Sequence, residues 1–176
     1  MAIAPGTYEL GPQNGELVVN TRRQGAAAKA GHDLEMVVTS WRGTLEVGAS
    51  AAVSLSADGT SLRVRAGHGG IQALDEKDKE NIRQTIDDEV LRGSAIEFHS
   101  SDAQTTGGHM HVRGELELMG QTRPLEFELK VTDDRLTGRA IVKQSDWGMK
   151  PYSALFGALK VADEVEITVD AGLQPR

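Results

Sequence analysis

The chain of 176 residues has no cysteine, which excludes a disulfide framework and any thiolate chemistry. It also has few aromatics: two tryptophans, two tyrosines and three phenylalanines. A core of ordinary density must then be built from aliphatic side chains or be left partly hollow. Basic charge is not in excess. The formal net charge is −7, which argues against a nucleic-acid partner and against electrostatic docking on an anionic membrane. No apolar run approaches the length of a membrane-spanning helix, so no integral membrane segment is expected. The first residues, MAIAPGTYEL, lack a basic stretch followed by an apolar one. The expectation is a cytoplasmic protein, or a periplasmic or secreted one if a signal peptide has been removed.

What is present is a strand rhythm. The length suits one domain, taken as residues 1–176. Gly6 to Leu10 and Glu16 to Arg22 suggest two strands around a hairpin-like turn cluster, Gly11 to Gly15. Gln24 to Gly31 is small-residue loop. Leu34 to Val47 suggests a long strand in which Trp41 breaks the parity of Leu34, Met36 and Val38, as a bulge or a two-sided strand would. Val53 to Ala57 and Leu62 to Ala66 predict a hairpin across Asp58-Gly59. Strict alternation returns from Ser94, through Met110, Val112, Leu116 and Leu118, then Leu125, Phe127 and Leu129, and again in Val165, Ile167 and Val169. One stretch has a different period. Ile82, Ile86 and Val90 lie four apart, which predicts an amphipathic helix from Asp75 to Leu91 with Asp75 as N-cap. About eight strands with short turns and one helix point to an antiparallel barrel or sandwich.

The stretch 145–162 has no strand period but holds Trp147, Tyr152 and Phe156, three of the scarce aromatics, beside Met149, Leu155 and Leu159. Ser153 and Gly157 are placed to cap and end one helical turn there. Such a loop is either a plug for the core or the wall of an apolar site. Small inward residues such as Ala57, Gly138 and Ala140 leave room for a ligand within a barrel of that size. The ligand-contacting residues expected are Met36, Val38, Leu118, Phe127, Trp147, Met149, Tyr152, Leu155, Phe156 and Leu159. Arg22, His32 and Lys150 are placed to meet a polar head at the mouth.

Two other chemistries have residues to support them. His109 and His111 share one strand face and, with His99, would suit a metal-binding protein, although their parity is the outward one. His32 beside Asp33 would suit a small hydrolase, but no serine sits in a nucleophile elbow and adjacent strand residues point to opposite faces. Neither metal nor cofactor is expected, and no catalytic residue is assigned.

The segments LELMGQTRPLEFELKV (Leu116 to Val131) and SDWGMKP followed by VADEVEITVD resemble the YceI-like family, and the resemblance extends back to GTYEL at Gly6. It implies a mainly all-β chain: an antiparallel eight-stranded extended lipocalin-like barrel with one amphipathic helix near one end. It further implies non-catalytic carriage of a long apolar ligand such as a polyisoprenoid, an isoprenoid quinone or a similar lipid. Family members are often dimers, so a homodimer is expected.

Overall fold

The structure is a computed structural model, and it describes residues 3–154 and 157–174. The fold is mainly β with one short helix. Eleven antiparallel strands form the main sheet: β1 (Gly6–Leu10), β2 (Gly15–Thr21), β4 (Asp33–Val38), β5 (Trp41–Val47), β6 (Ala51–Asp58), β7 (Leu62–His68), β8 (Ala95–Thr106), β9 (His109–Leu118), β10 (Gln121–Thr132), β11 (Arg135–Lys143) and β14 (Glu164–Gly172). Their order is β1-β5-β6-β8-β9-β10-β11-β14-β2-β4-β7, a half-barrel bounded by β1 and β7. A small three-stranded sheet joins β12 (Ser153–Ala154), β13 (Leu159–Val161) and β3 (Arg23–Gln24).

The count of eleven rather than eight strands has a local cause: three long stretches of chain are broken at corners. β1 and β2 do not pair with each other. Both run antiparallel to the stretch 33–47, β1 on β5 and β2 on β4, so the Gly11–Asn14 cluster interrupts one line of chain instead of reversing it. β6 and β7 are likewise not a hairpin, because β6 pairs with β5 and β7 with β4. The Asp58 carboxylate accepts from the Thr60 amide and starts a 3-10 turn over Gly59–Ser61. Ladder bonds continue across the corner, from the Thr39 amide to the Ser61 carbonyl (3.1 Å) and from the Asp58 amide to the Ser40 carbonyl (3.0 Å). Asp-Gly therefore marks a bend here, where sequence pattern alone suggested a reversal. The small-residue stretch after β3 holds a 3-10 turn at Ala28–Ala30.

The hairpins from β8 to β11 follow the alternation. Met119 (φ 55°) and Gly120 (φ 74°) make the two-residue connection between Leu118 and Gln121. Both left-handed positions match a type I′ turn, whose twist suits the flanking strands. Inward residues of β9 such as Met110, Val112 and Leu116 are buried, while Arg113, Glu115 and Glu117 are exposed.

The helix α1 spans Glu76–Thr85, shorter than the predicted Asp75–Leu91, and passes into a π turn at Ile86–Val90. Asp75 is the N-cap, and it forms a reciprocal capping box with Asp78: each side chain accepts from the other's amide. The wider π turn places Ile86, Val90 and Leu91 against the core. No helix among the described residues is long and apolar enough to cross a membrane.

Candidate ligand cavity

The inward faces of β2, β4, β10, β11 and β14 do not meet those of β5, β6, β8 and β9 across the half-barrel. Between them lies a cavity of about 640 Å³. β2 contributes Leu17, Val19 and Thr21; β4 contributes Leu34, Met36 and Val38; β14 contributes Val165, Ile167 and Val169. These triplets lie two residues apart because successive strand side chains alternate between faces. β11 contributes Gly138 and Ala140; a Cβ at Gly138 would lie 2.4 Å from Leu129 Cδ2, so Leu129 packs over that position and Ala140 presents a single methyl group. The wall is completed by Ile82, Ile86 and Val90 of the helical segment and by Met149, Tyr152 and Leu159 of the loop before β14.

Six of the residues expected at a ligand, Met36, Val38, Leu118, Phe127, Met149 and Leu159, line this cavity, as does Tyr152, which is also 41% exposed. Trp147 does not line it. Its ring is buried in the core, and its indole N–H donates to the Leu116 carbonyl at 2.8 Å. It ends a 3-10 turn, Gln144–Trp147, fastened by Asp163, which accepts from the Ser145 amide (2.7 Å) and hydroxyl. The hydroxyl holds the Asp163 carboxyl below the ordinary carboxylate range. Leu155 and Phe156 lie outside the described residues. Ser153, expected to cap a helical turn, belongs to strand β12.

At the mouth, His32 lines the cavity, whereas Arg22 and Lys150 are exposed and do not. Their places are taken by Arg23 and Lys160, which do line it. The exchange of Arg22 for Arg23 follows from the pairing of Arg23 with Val161 in the small sheet. Arg23 is held by Asp33, which accepts from its amide (2.9 Å), and by the Gly31 carbonyl, which accepts from its guanidinium (2.8 Å). His32 Nε2 lies 2.7 Å from the Gln72 carbonyl. The loop passing over both side chains needs glycine. Gly69 and Gly70 have φ of 83° and 79°, and a Cβ at Gly70 would lie 2.3 Å from His32 Nε2.

This arrangement does not make a hydrolytic dyad of His32 and Asp33, since the carboxylate serves Arg23 and the imidazole faces a carbonyl. On the outer face, His111 lies 3.9 Å from both Glu126 and Glu128, and His109 stands opposite Lys130. No group of three or more His, Cys, Asp or Glu side chains among the described residues could hold a metal ion.

Sequence pattern had missed Thr21 and Trp41. Thr21 follows Leu17 and Val19 on the inward parity, so its signal was available. Trp41 opens β5 after the corner, where parity counted from Leu34 no longer holds.

The half-barrel thus encloses an apolar cavity walled in part by a helix and a long loop. The family model for the YceI-like domain matches residues 8–173. The chain belongs to the YceI-like family. Among solved structures, this YceI-like chain is similar to BcnA of Burkholderia cenocepacia, with 15% identity and a TM-score of 0.56. The match covers 89% of this chain and 94% of BcnA, and at that identity it shows a shared fold. No curated protein sequence matches the YceI-like chain.

Proposed function

We propose that this YceI-like protein binds and carries a long apolar molecule, of the polyisoprenoid, isoprenoid-quinone or similar lipid class, without chemical change. The observation that carries the reading is the cavity of about 640 Å³ with its aliphatic wall. At roughly 30 Å³ for each carbon-sized group, it has room for about twenty of them. Each buried methylene contributes about 0.8 kcal/mol, or about 16 kcal/mol in all. That sum exceeds most estimates of the roughly 4–15 kcal/mol lost in association. Strength comes from the length of the lining rather than from any single contact.

The strand pattern supports a barrel under this reading. If β1–β2, β4–β5 and β6–β7 each count as one bent strand, the eleven strands reduce to eight lines of chain. The wall then turns at its corners, and the seam beside β7 is covered by the helix. Arg23, His32 and Lys160 mark the mouth, where a polar head stays hydrated.

Titration of delipidated protein with a fluorescent polyene fatty acid tests the proposal. Saturable, near-stoichiometric binding that is competed by long-chain lipids is the expected result. Hydrolysis of ester probes that depends on His32, with no saturable binding, would replace carriage with catalysis.

A further inference from the structure

Resting on the carrier reading for what is exchanged there, we infer that the mouth of the half-barrel docks on an anionic lipid bilayer. A net charge of −7 argues against such docking only if the charge is spread evenly, and it is not. Residues 22–32, 67–74 and 148–162 hold Arg22, Arg23, Lys29, Lys150 and Lys160 and no aspartate or glutamate. The rest of the chain, with 14 Lys and Arg against 26 Asp and Glu, has a net charge of −12. The fold brings the three segments together at the mouth. Lys160 and Val161 pair with Gln24 and Arg23 in the small sheet, and the Ala27 amide donates to the Ala158 carbonyl at 2.7 Å. The strap 67–74 is fastened over them. The Arg23 guanidinium donates to the His68 carbonyl (3.1 Å), and His32 Nε2 lies 2.7 Å from the Gln72 carbonyl.

Arg22, Lys29, Lys150 and Lys160 are exposed, and among the described residues none of them is in an ion pair. Arginines elsewhere on the surface are neutralised, Arg65 by Glu16 and Glu35, Arg113 by Glu126 and Arg135 by Asp170. The helix that follows the strap is balanced, with three acids and three bases over Glu76–Thr85, and Asp75 is occupied in its capping box. Ile71 stands between the two bonds that fasten the strap and is 81% exposed. Tyr152 both lines the cavity and reaches solvent, so its ring lies at the boundary, as a residue with one apolar and one wet end does. At physiological salt a charge acts over about 8 Å, so acids beyond that distance are screened and the facing cations prevail. An apolar side chain among unpaired cations matches a surface that is anionic outside and apolar beneath. Such binding draws on both the buried apolar area and the attraction to anionic lipids. Docked in this way, the mouth opens onto the bilayer, and a lipid passes into the cavity without crossing water.

The test sediments delipidated full-length protein with vesicles of phosphatidylcholine alone or of phosphatidylcholine mixed with phosphatidylglycerol. The expected result is binding to the mixed vesicles only, reversed in about 1 M salt, where the screening length falls to about 3 Å. Each Lys or Arg near such a surface contributes about five-fold, so Lys29→Gln combined with Lys150→Gln should weaken binding about twenty-five-fold. Ile71→Ser should weaken it about ten-fold or more. Arg113→Gln combined with Lys130→Gln, on the outer face of β9 and β10, should leave it within about twofold. Equal binding of the unmodified protein to both kinds of vesicle, or to neither at low salt, would overturn the inference. Uptake of a fluorescent polyene fatty acid from solution by the same preparation would then leave the carrier reading standing, and failure of that uptake would remove both. Capture on poly-glutamate that Ile71→Ser does not weaken, without vesicle binding, would assign the surface to an acidic protein and overturn the inference.

Discussion

Ala140 lines the cavity from β11 with a single methyl group. Ala140→Leu adds three carbons pointing into that space. If the space is open, those carbons bury themselves at about 0.8 kcal/mol each, and the ligand-free protein gains up to about 2.4 kcal/mol. For a domain of this length that corresponds to a rise in Tm of roughly 5–10 °C. The same three carbons take about 90 Å³ from the ligand, at roughly 30 Å³ each. A ligand that loses three methylenes' worth of burial binds about fifty-fold more weakly. The variant should thus be more stable when empty and worse at binding. Urea unfolding of delipidated protein gives the first quantity, and titration with a long-chain probe gives the second. A filled core behaves differently: added methylenes force off-rotamer side chains and cost about 1–3 kcal/mol. Destabilisation of that size with unchanged probe affinity would refute the cavity.

Trp147→Phe removes the indole donor to Leu116 and should cost about 1–3 kcal/mol in urea unfolding, because the carbonyl is left unpaired in the core. Probe affinity should stay within twofold, since Trp147 does not line the cavity. Asp75→Ala removes the capping box and should cost about 1 kcal/mol, with faster hydrogen exchange in Glu76–Thr85. Acid should release the turn that carries Trp147. The Ser145 hydroxyl lowers the Asp163 pKa in the folded state, so this contribution is present above the unfolded carboxylate value of about 3.9. It is lost as pH falls through the lower folded value. Asp163→Asn should flatten that part of the acid limb, measured as Tm against pH.

Alternation made most of the lining legible in advance. Met36, Val38, Leu118 and Phe127 lie on strands whose inward parity can be counted from neighbouring residues. The corners could not be counted in the same way. Asp58-Gly59 carries the chemistry of a turn, and only the partners of β6 and β7, far away in sequence, decide that the chain bends there without folding back. The loop before β14 has no period to follow, so Trp147 could not be told from Met149. The first turned to a backbone carbonyl because its N–H needs one, and the second packs along the cavity. Arg22 and Arg23 differ by a single residue, and the short pairing of β3 with β13 decides which reaches the mouth. The class of ligand proposed rests on the family resemblance, since no pattern of inward residues specifies it.

The central claim is that the cavity is occupied by a lipid. Native mass spectrometry of protein purified without detergent, before and after organic extraction, tests it most directly. The account predicts an excess mass of a few hundred daltons or more, at about twenty carbon-sized groups, which solvent removes and which is recovered as a lipid. A single mass equal to that of the bare chain, together with failure to take up any long-chain apolar probe afterwards, would contradict it.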